Sequence, residues 1–265
     1  MKPPRILIIA GSDSGGGAGI QADIKTVTML GGFAMTAITV ITAQNTLGVT
    51  QVLPIPTEMV LAQMDAVIGD LGVDAVKIGM IGSAETAQAV AASLAALDVP
   101  IVFDPVMVAT SGSVLAEPRT IAAFERLMSI ASVVTPNLPE LEALGGEAAV
   151  LAHGCHLVVK GGHAGGAEVV DRLLSPTGPV HSLSGKRIET KDTHGTGCTL
   201  ASALATGLGA GLPIRDAFER SVRFVRIAIL SAPGLGQGAG PLGHHLGVVP
   251  FDAIEGQANR RRDAD

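Results

Sequence analysis

The chain has 265 residues, 47% of them hydrophobic, enough to fill a sizeable core in one large domain or two small ones. It has no Trp or Tyr, only six Phe, and a formal net charge of -6, which argues against nucleic-acid binding through stacked aromatics or a basic surface. Cys155 and Cys198 cannot build a disulfide framework and no CxxC pair is present, so a reducing cytoplasm fits best.

Residues 5–10 open the chain as a short apolar run, a strand candidate too brief for a signal-peptide core. A glycine loop follows, Gly11-Ser12-Asp13-Ser14-Gly15-Gly16-Gly17-Ala18-Gly19, and then a helix with Ile20, Val27 and Leu30 on one stripe. Asp23 lies on that stripe, where an inward carboxylate requires a partner. Residues 26–57 carry no charge but are broken by Gly31, Gly32, Gln44, Asn45, Pro54 and Pro56, which excludes a membrane span. Further strands are expected at 34–42, 75–78, 101–104, 132–135 and 157–160. Between them one helix buries Val60, Met64 and Val67, and another, capped by Ser83, buries Ala87, Val90 and Leu94. Segments 168–174 and 180–190 read as antiparallel strands, and helices are expected at about 196–210 and 214–231. This alternation predicts a mostly parallel sheet covered on both faces. One domain is expected over 1–265, with 251–265, including Arg260 to Arg262, as a frayed tail.

Ligands of open α/β sheets bind beyond the carboxyl ends of the strands. Nearly every strand here ends in polar or glycine residues: the glycine loop, Gln44-Asn45, Gly79-Met80, Asp104-Pro105-Val106-Met107, Pro136-Asn137 and Lys160-Gly161-Gly162-His163. Each has a structural explanation by itself. The glycine loop fits neither the dinucleotide fingerprint nor the P-loop, Asp104-Pro105 can simply end a strand, Asn137 to Glu140 can cap a helix, and Lys160 can face solvent. Asp192-Thr193-His194-Gly195-Thr196-Gly197-Cys198 adds a tight backbone turn ahead of a buried helix. Such a turn is an anion hole suited to phosphate, and the helix dipole is expected to lower the Cys198 pKa. The same stretch also fits a buried helical cysteine packed among Gly and Ala. A carboxylate, an Asn with a Glu, a lysine and an anion hole at one sheet edge are together the parts of phosphoryl transfer.

The ordered blocks GSDSGGGAGIQADIKT from Gly11, TAQNTLGV from Thr42, VKIGMIGS from Val76, DPVM from Asp104, TPNLPE from Thr135, VKGGH from Val159, THGTGCTLASALA from Thr193 and GPLGHH from Gly240 carry a resemblance over nearly the whole chain. It resembles the hydroxymethylpyrimidine/phosphomethylpyrimidine kinases, thiamin-pathway members of the ribokinase-like superfamily. The resemblance implies a three-layer α/β/α sandwich and an ATP- and Mg-dependent kinase. It would phosphorylate 4-amino-5-hydroxymethyl-2-methylpyrimidine and then its monophosphate. A homodimer is the implied assembly.

By this resemblance Cys198 takes the position of the sugar kinases' catalytic Asp and accepts the hydroxyl proton, while Gly195, Thr196 and Gly197 hold the transferring phosphoryl group. Lys160, with Asn137 and Thr193, would serve the nucleotide. Asp104 and Glu140, with Glu142 as a further candidate, would serve Mg. Gln44, offering a donor and an acceptor, suits the aminopyrimidine edge, and Gly11, Asp23, Met80 and Val106 would complete the pocket. The alternatives are a pyridoxine or pyridoxal kinase on the same fold and a non-catalytic pyrimidine or nucleotide sensor.

Overall fold

The computed structural model describes residues 2–108, 112 and 115–248. The expected tail at 251–265 lies outside them. The sheet is built from β1 (Arg5–Asp13), β2 (Phe33–Asn45), β3 (Gly48–Pro54), β4 (Ala75–Ile78), β5 (Ile101–Phe103), β6 (Val133–Val134), β7 (His156–Val159), β8 (Glu168–Ser175) and β9 (Gly178–Lys186). Its order is β3-β2-β1-β4-β5-β6-β7-β8-β9. The six central strands from β2 to β7 are parallel, and β3, β8 and β9 join antiparallel at the two edges.

Alternation along a strand divides the core into two layers. On β1, Leu7 and Ile9 face one cluster, which contains Val60 and Met64 of α2 (Thr57–Asp70), Val90 and Leu94 of α3 (Ala84–Leu94), and Phe124 and Leu127 of α4 (Pro118–Met128). Ile6 and Ile8 face the other cluster, with Ile20 and Val27 of α1 (Gly19–Met29), Leu200 and Leu204 of α7 (Thr196–Gly209), and Phe218 and Val222 of α8 (Ile214–Leu230). Two short helices, α5 (Leu138–Ala143) and α6 (Glu147–Leu151), join β6 to β7. The result is the expected α/β/α sandwich.

Ser83 caps α3 as expected, accepting from the Thr86 amide at 3.1 Å. Strand β3 was not anticipated. It is an edge strand whose residues after Val49 are all exposed, so it carries no alternation to read. Helix α7 is buried nearly all round because it is made of small residues. A Cβ on Gly207 would come within 2.9 Å of the Ala217 Cβ on α8.

Candidate active site

The turn after β1 is organised by Asp13. Its Oδ1 accepts from the Gly15 amide at 2.8 Å, and its Oδ2 accepts from the amides of Gly17 and Ala18 at 3.1 and 2.9 Å. Burial opposes the charge, but the His194 hydrogen bond and these amides outweigh it and lower the Asp13 pKa. The turn requires Gly19, at φ +56°, because a Cβ there would lie 2.4 Å from the Gly11 carbonyl oxygen. Gln44 closes this end, its side-chain amide contacting Thr42 Oγ1 at 3.1 Å and His194 Nε2 at 3.3 Å.

Helix α7 starts from Gly195, which adopts φ +87° and approaches so closely that a Cβ would lie 1.9 Å from the Gly17 carbonyl oxygen. No side chain caps the helix, and Gly195, Thr196, Gly197 and Cys198 all line the cavity. An uncapped helix N-terminus facing a cavity favours an anion. The Cys198 thiol departs from expectation. Burial raises its pKa, Lys77 and the Gly19 amide counter only in part, and Asp23 and Asp104 add to the rise, leaving it pushed up to about 11. The helix dipole is thus outweighed by desolvation and two carboxylates from other elements.

Lys160, at the end of β7, sets its Nζ 2.7 Å from Asp104 Oδ1 and 3.8 Å from Glu140 Oε2. Burial opposes its charge, yet Asp104 and Glu140 raise its pKa above the ordinary lysine value. Thr135 Oγ1 donates to Asp104 Oδ1 at 3.1 Å. Asn137 and Glu140 do form a capping box: Asn137 Oδ1 accepts from the Glu140 amide at 2.9 Å, and Glu140 Oε2 accepts from the Asn137 amide at 2.8 Å. Both also line the cavity, so capping holds the carboxylate in place there. No cluster of three or more metal-binding side chains occurs among the described residues. Mg demands less, taking one or two carboxylates plus phosphate oxygens and water, and Asp104 with Glu140 fit that donor set.

These groups open onto one cavity of about 800 Å³ along the carboxyl edge of the sheet. It brings together Gly11, Gln44, Met80 and Val106 with Asp104, Asn137, Glu140, Lys160, Thr193 and the Gly195 to Cys198 turn. Two expected residues are elsewhere. Asp23 is wholly buried, its oxygens taken by Lys77 Nζ at 2.8 Å and Ser202 Oγ at 2.7 Å, so it braces α1 against β4 and α7. Glu142 is exposed and does not line the cavity, because α5 turns it outward while Glu140 points in. Asp13, Lys77 and His194 line the cavity without having been singled out as site residues. Burial opposes charge on Lys77, but Asp23, the Cys198 sulfur and Asp104 keep its pKa above the ordinary value. Lys77 is hidden in an apolar strand, whereas Asp13 and His194 stand in the quoted motifs.

A parallel sheet whose carboxyl edge joins an uncapped helix N-terminus, a lysine and paired carboxylates defines a small-molecule kinase of the ribokinase-like class. Residues 13–243 match the family model described as phosphomethylpyrimidine kinase, and the chain belongs to that family. A hydroxymethylpyrimidine/phosphomethylpyrimidine kinase of Rhizobium meliloti (strain 1021) is 48% identical over 255 residues, covering 90% of this chain and 96% of the relative. The thiamine biosynthesis bifunctional protein ThiED of Geobacter sulfurreducens is 45% identical, covering 91% of this chain and 52% of that protein. Among solved structures, the ADP complex of Bacillus subtilis pyridoxal kinase superposes with a TM-score of 0.84 at 33% identity, covering 92% of this chain and 98% of that one. The chain is a phosphotransferase that uses ATP.

Proposed function

We propose that this kinase transfers the γ-phosphoryl group of ATP to the hydroxymethyl oxygen of 4-amino-5-hydroxymethyl-2-methylpyrimidine, and then phosphorylates the monophosphate to the diphosphate for thiamin synthesis. The observation that carries it is a single cavity holding a donor-acceptor amide, Gln44, at one end and an uncapped helix N-terminus at the other, with Cys198 on that helix's first turn. In the first step the alcohol oxygen bonds to phosphorus, the bond to ADP breaks, and the hydroxyl proton passes to the Cys198 thiolate. The amides of Gly195, Thr196 and Gly197 take up charge on the phosphoryl oxygens. Lys160 leaves Asp104 for the nucleotide phosphates, which attract the same ammonium. Mg held by Asp104 and Glu140 would neutralise phosphate charge.

Gln44, Gly11, Met80 and Val106 form the ring pocket in this proposal. Thr193 and Asn137 flank the phosphates. Nucleotide beyond them meets Val222, Val225 and Ile229 of α8, which line the same cavity. Mg dependence, action in the cytoplasm and assembly as a homodimer belong to the same proposal. Exposed Ile41 and Leu53, paired across the β2–β3 edge, support an assembly surface. No helix among the described residues is long and apolar enough to cross a membrane.

Pyridoxal kinase chemistry is the second reading, favoured by the fold likeness already given. The higher sequence identity to the pyrimidine kinase supports the first. Phosphorus NMR of the protein with Mg-ATP and each acceptor tests both. The proposal expects phosphomonoester and then diphosphate signals from the pyrimidine; ADP formation that is indifferent to added alcohol would refute it, and no ATP consumption would support the sensor.

A further inference from the structure

At the ring end of the cavity, hydrogen bonding fixes an orientation that shape alone leaves open. Asp13, accepting from three backbone amides, is an acceptor toward anything else it meets. His194 Nε2 lies 2.9 Å from Asp13 Oδ2, so that nitrogen carries the proton and donates it. A protonated Nε2 cannot accept from an amide NH2. Gln44 is placed with its Nε2 3.3 Å from His194 Nε2 and its Oε1 3.1 Å from Thr42 Oγ1, and exchanging the two amide atoms sets the oxygen where it shares the single Nε2 proton with Asp13. Thr42 gives an independent answer of the same sign. Its one hydroxyl proton cannot serve both the Ser12 carbonyl at 2.9 Å and Gln44 Oε1 at 3.1 Å, and with the shorter bond kept, the exchanged amide donates its NH2 to the Thr42 lone pairs.

We propose that His194 is a positioning residue: held by Asp13, it fixes which end of the Gln44 amide is donor and which is acceptor, and so selects the hydrogen-bonding edge of the heteroaromatic alcohol. The His194 ring packs directly on the Gly17 backbone, where a Cβ would lie 2.4 Å from its Cδ2. Its amide donates to the Gly240 carbonyl at 3.1 Å, and the next residue is Gly195, the cap of α7. The residue that orients the edge reader is therefore joined directly to the phosphate cradle. A ring nitrogen beside an exocyclic amine presents acceptor and donor in one fixed order. A fixed Gln44 accepts that order in one ring orientation only, which directs the hydroxymethyl group. This inference rests on the pyrimidine reading of the same cavity.

The test compares wild type, His194→Phe and His194→Gln in steady-state kinetics with hydroxymethylpyrimidine and pyridoxal, and records nitrogen NMR of histidine-labelled wild type. His194→Phe should raise KM for the pyrimidine roughly ten- to hundredfold, with KM for ATP unchanged, because a buried partner is left unmatched. His194→Gln, whose amide restores a donor to both Asp13 and Gln44, should return most of that loss. Nε2 of wild-type His194 should be protonated and hydrogen-bonded. Equal KM changes for ATP and alcohol, no rescue by Gln, or a proton-free Nε2 would each overturn the inference; the last holds even if a variant fails to fold. Wild type that turns over only pyridoxal would sink the pyrimidine reading alone, and the same KM pattern is then read on pyridoxal.

Discussion

Lys160 Nζ lies 2.7 Å from Asp104 Oδ1, so the ends of β7 and β5 are tied by an ion pair at the point where the phosphates are proposed to bind. Both side chains are largely shielded, with 14% and 2% exposure. Lys160→Met leaves Asp104 and Glu140 facing each other without a counter-charge. Turnover should fall by about 10²- to 10³-fold, and the variant should lose roughly 3 kcal/mol of stability in denaturant unfolding. Added Mg should restore more stability to the variant than to wild type. Turnover within threefold of wild type would remove Lys160 from the phosphates.

The two phosphorylations differ in their need for a base. The first acceptor is an alcohol whose proton must leave, whereas the second is a phosphate monoester, ionised already with a second pKa of about 6. Cys198, pushed up to about 11, is mostly thiol at neutral pH, and its thiolate fraction rises tenfold per pH unit below that value. The kcat/KM of the first step should therefore climb without a plateau from pH 7 to 9, while that of the second stays nearly flat. Cys198→Ala should abolish the climb and spare the second step. Equal loss in both steps would mean that Cys198 acts by shape and not as a base.

Lys77 and Asp23 form a wholly buried pair at 2.8 Å beneath Cys198. Removing either partner leaves an uncompensated charge, so Lys77→Met or Asp23→Leu should each cost about 3–5 kcal/mol. The double variant should be more stable than either single one, a coupling that urea unfolding can measure. Lys77→Met should also lower first-step turnover at pH 8, since Lys77 holds the thiol pKa down. Strict additivity of the two substitutions would contradict a direct pair.

Gly195 combines φ +87° with a backbone approach that leaves no space for a methyl group. Gly195→Ala must shift either the cap of α7, which lines the cavity, or the Gly17 turn, whose Asp13 and Ala18 line it. Its kcat should fall at least about 10²-fold, as for loss of an oxyanion-hole donor. Normal kcat with a folded protein would show that the phosphoryl group is held elsewhere.

The strands and the polar residues at their ends could be read from the chain because short apolar runs stopped by Gly, Pro or a charge declare both the strand and its edge. Asp104 and Lys160 are legible in that way, whereas Gln44 falls inside β2, which runs on to Asn45. The placement of Asp23 is not, since its partner Lys77 is 54 residues away within an otherwise apolar strand. Local reasoning about a helix dipole likewise gave the wrong direction for Cys198, whose surroundings come from α1, β4 and the turn after β5. His194 was passed over because its role depends on contacts to Asp13 and Gln44, 181 and 150 residues earlier in the chain.

The most direct test of the central claim is a competition in one vessel, with hydroxymethylpyrimidine and pyridoxal at equal concentration under limiting Mg-ATP and products resolved by mass. Phosphorylated pyrimidine should accumulate first and then pass to the diphosphate. Pyridoxal phosphate appearing alone would contradict the pyrimidine assignment while leaving a kinase of the same fold.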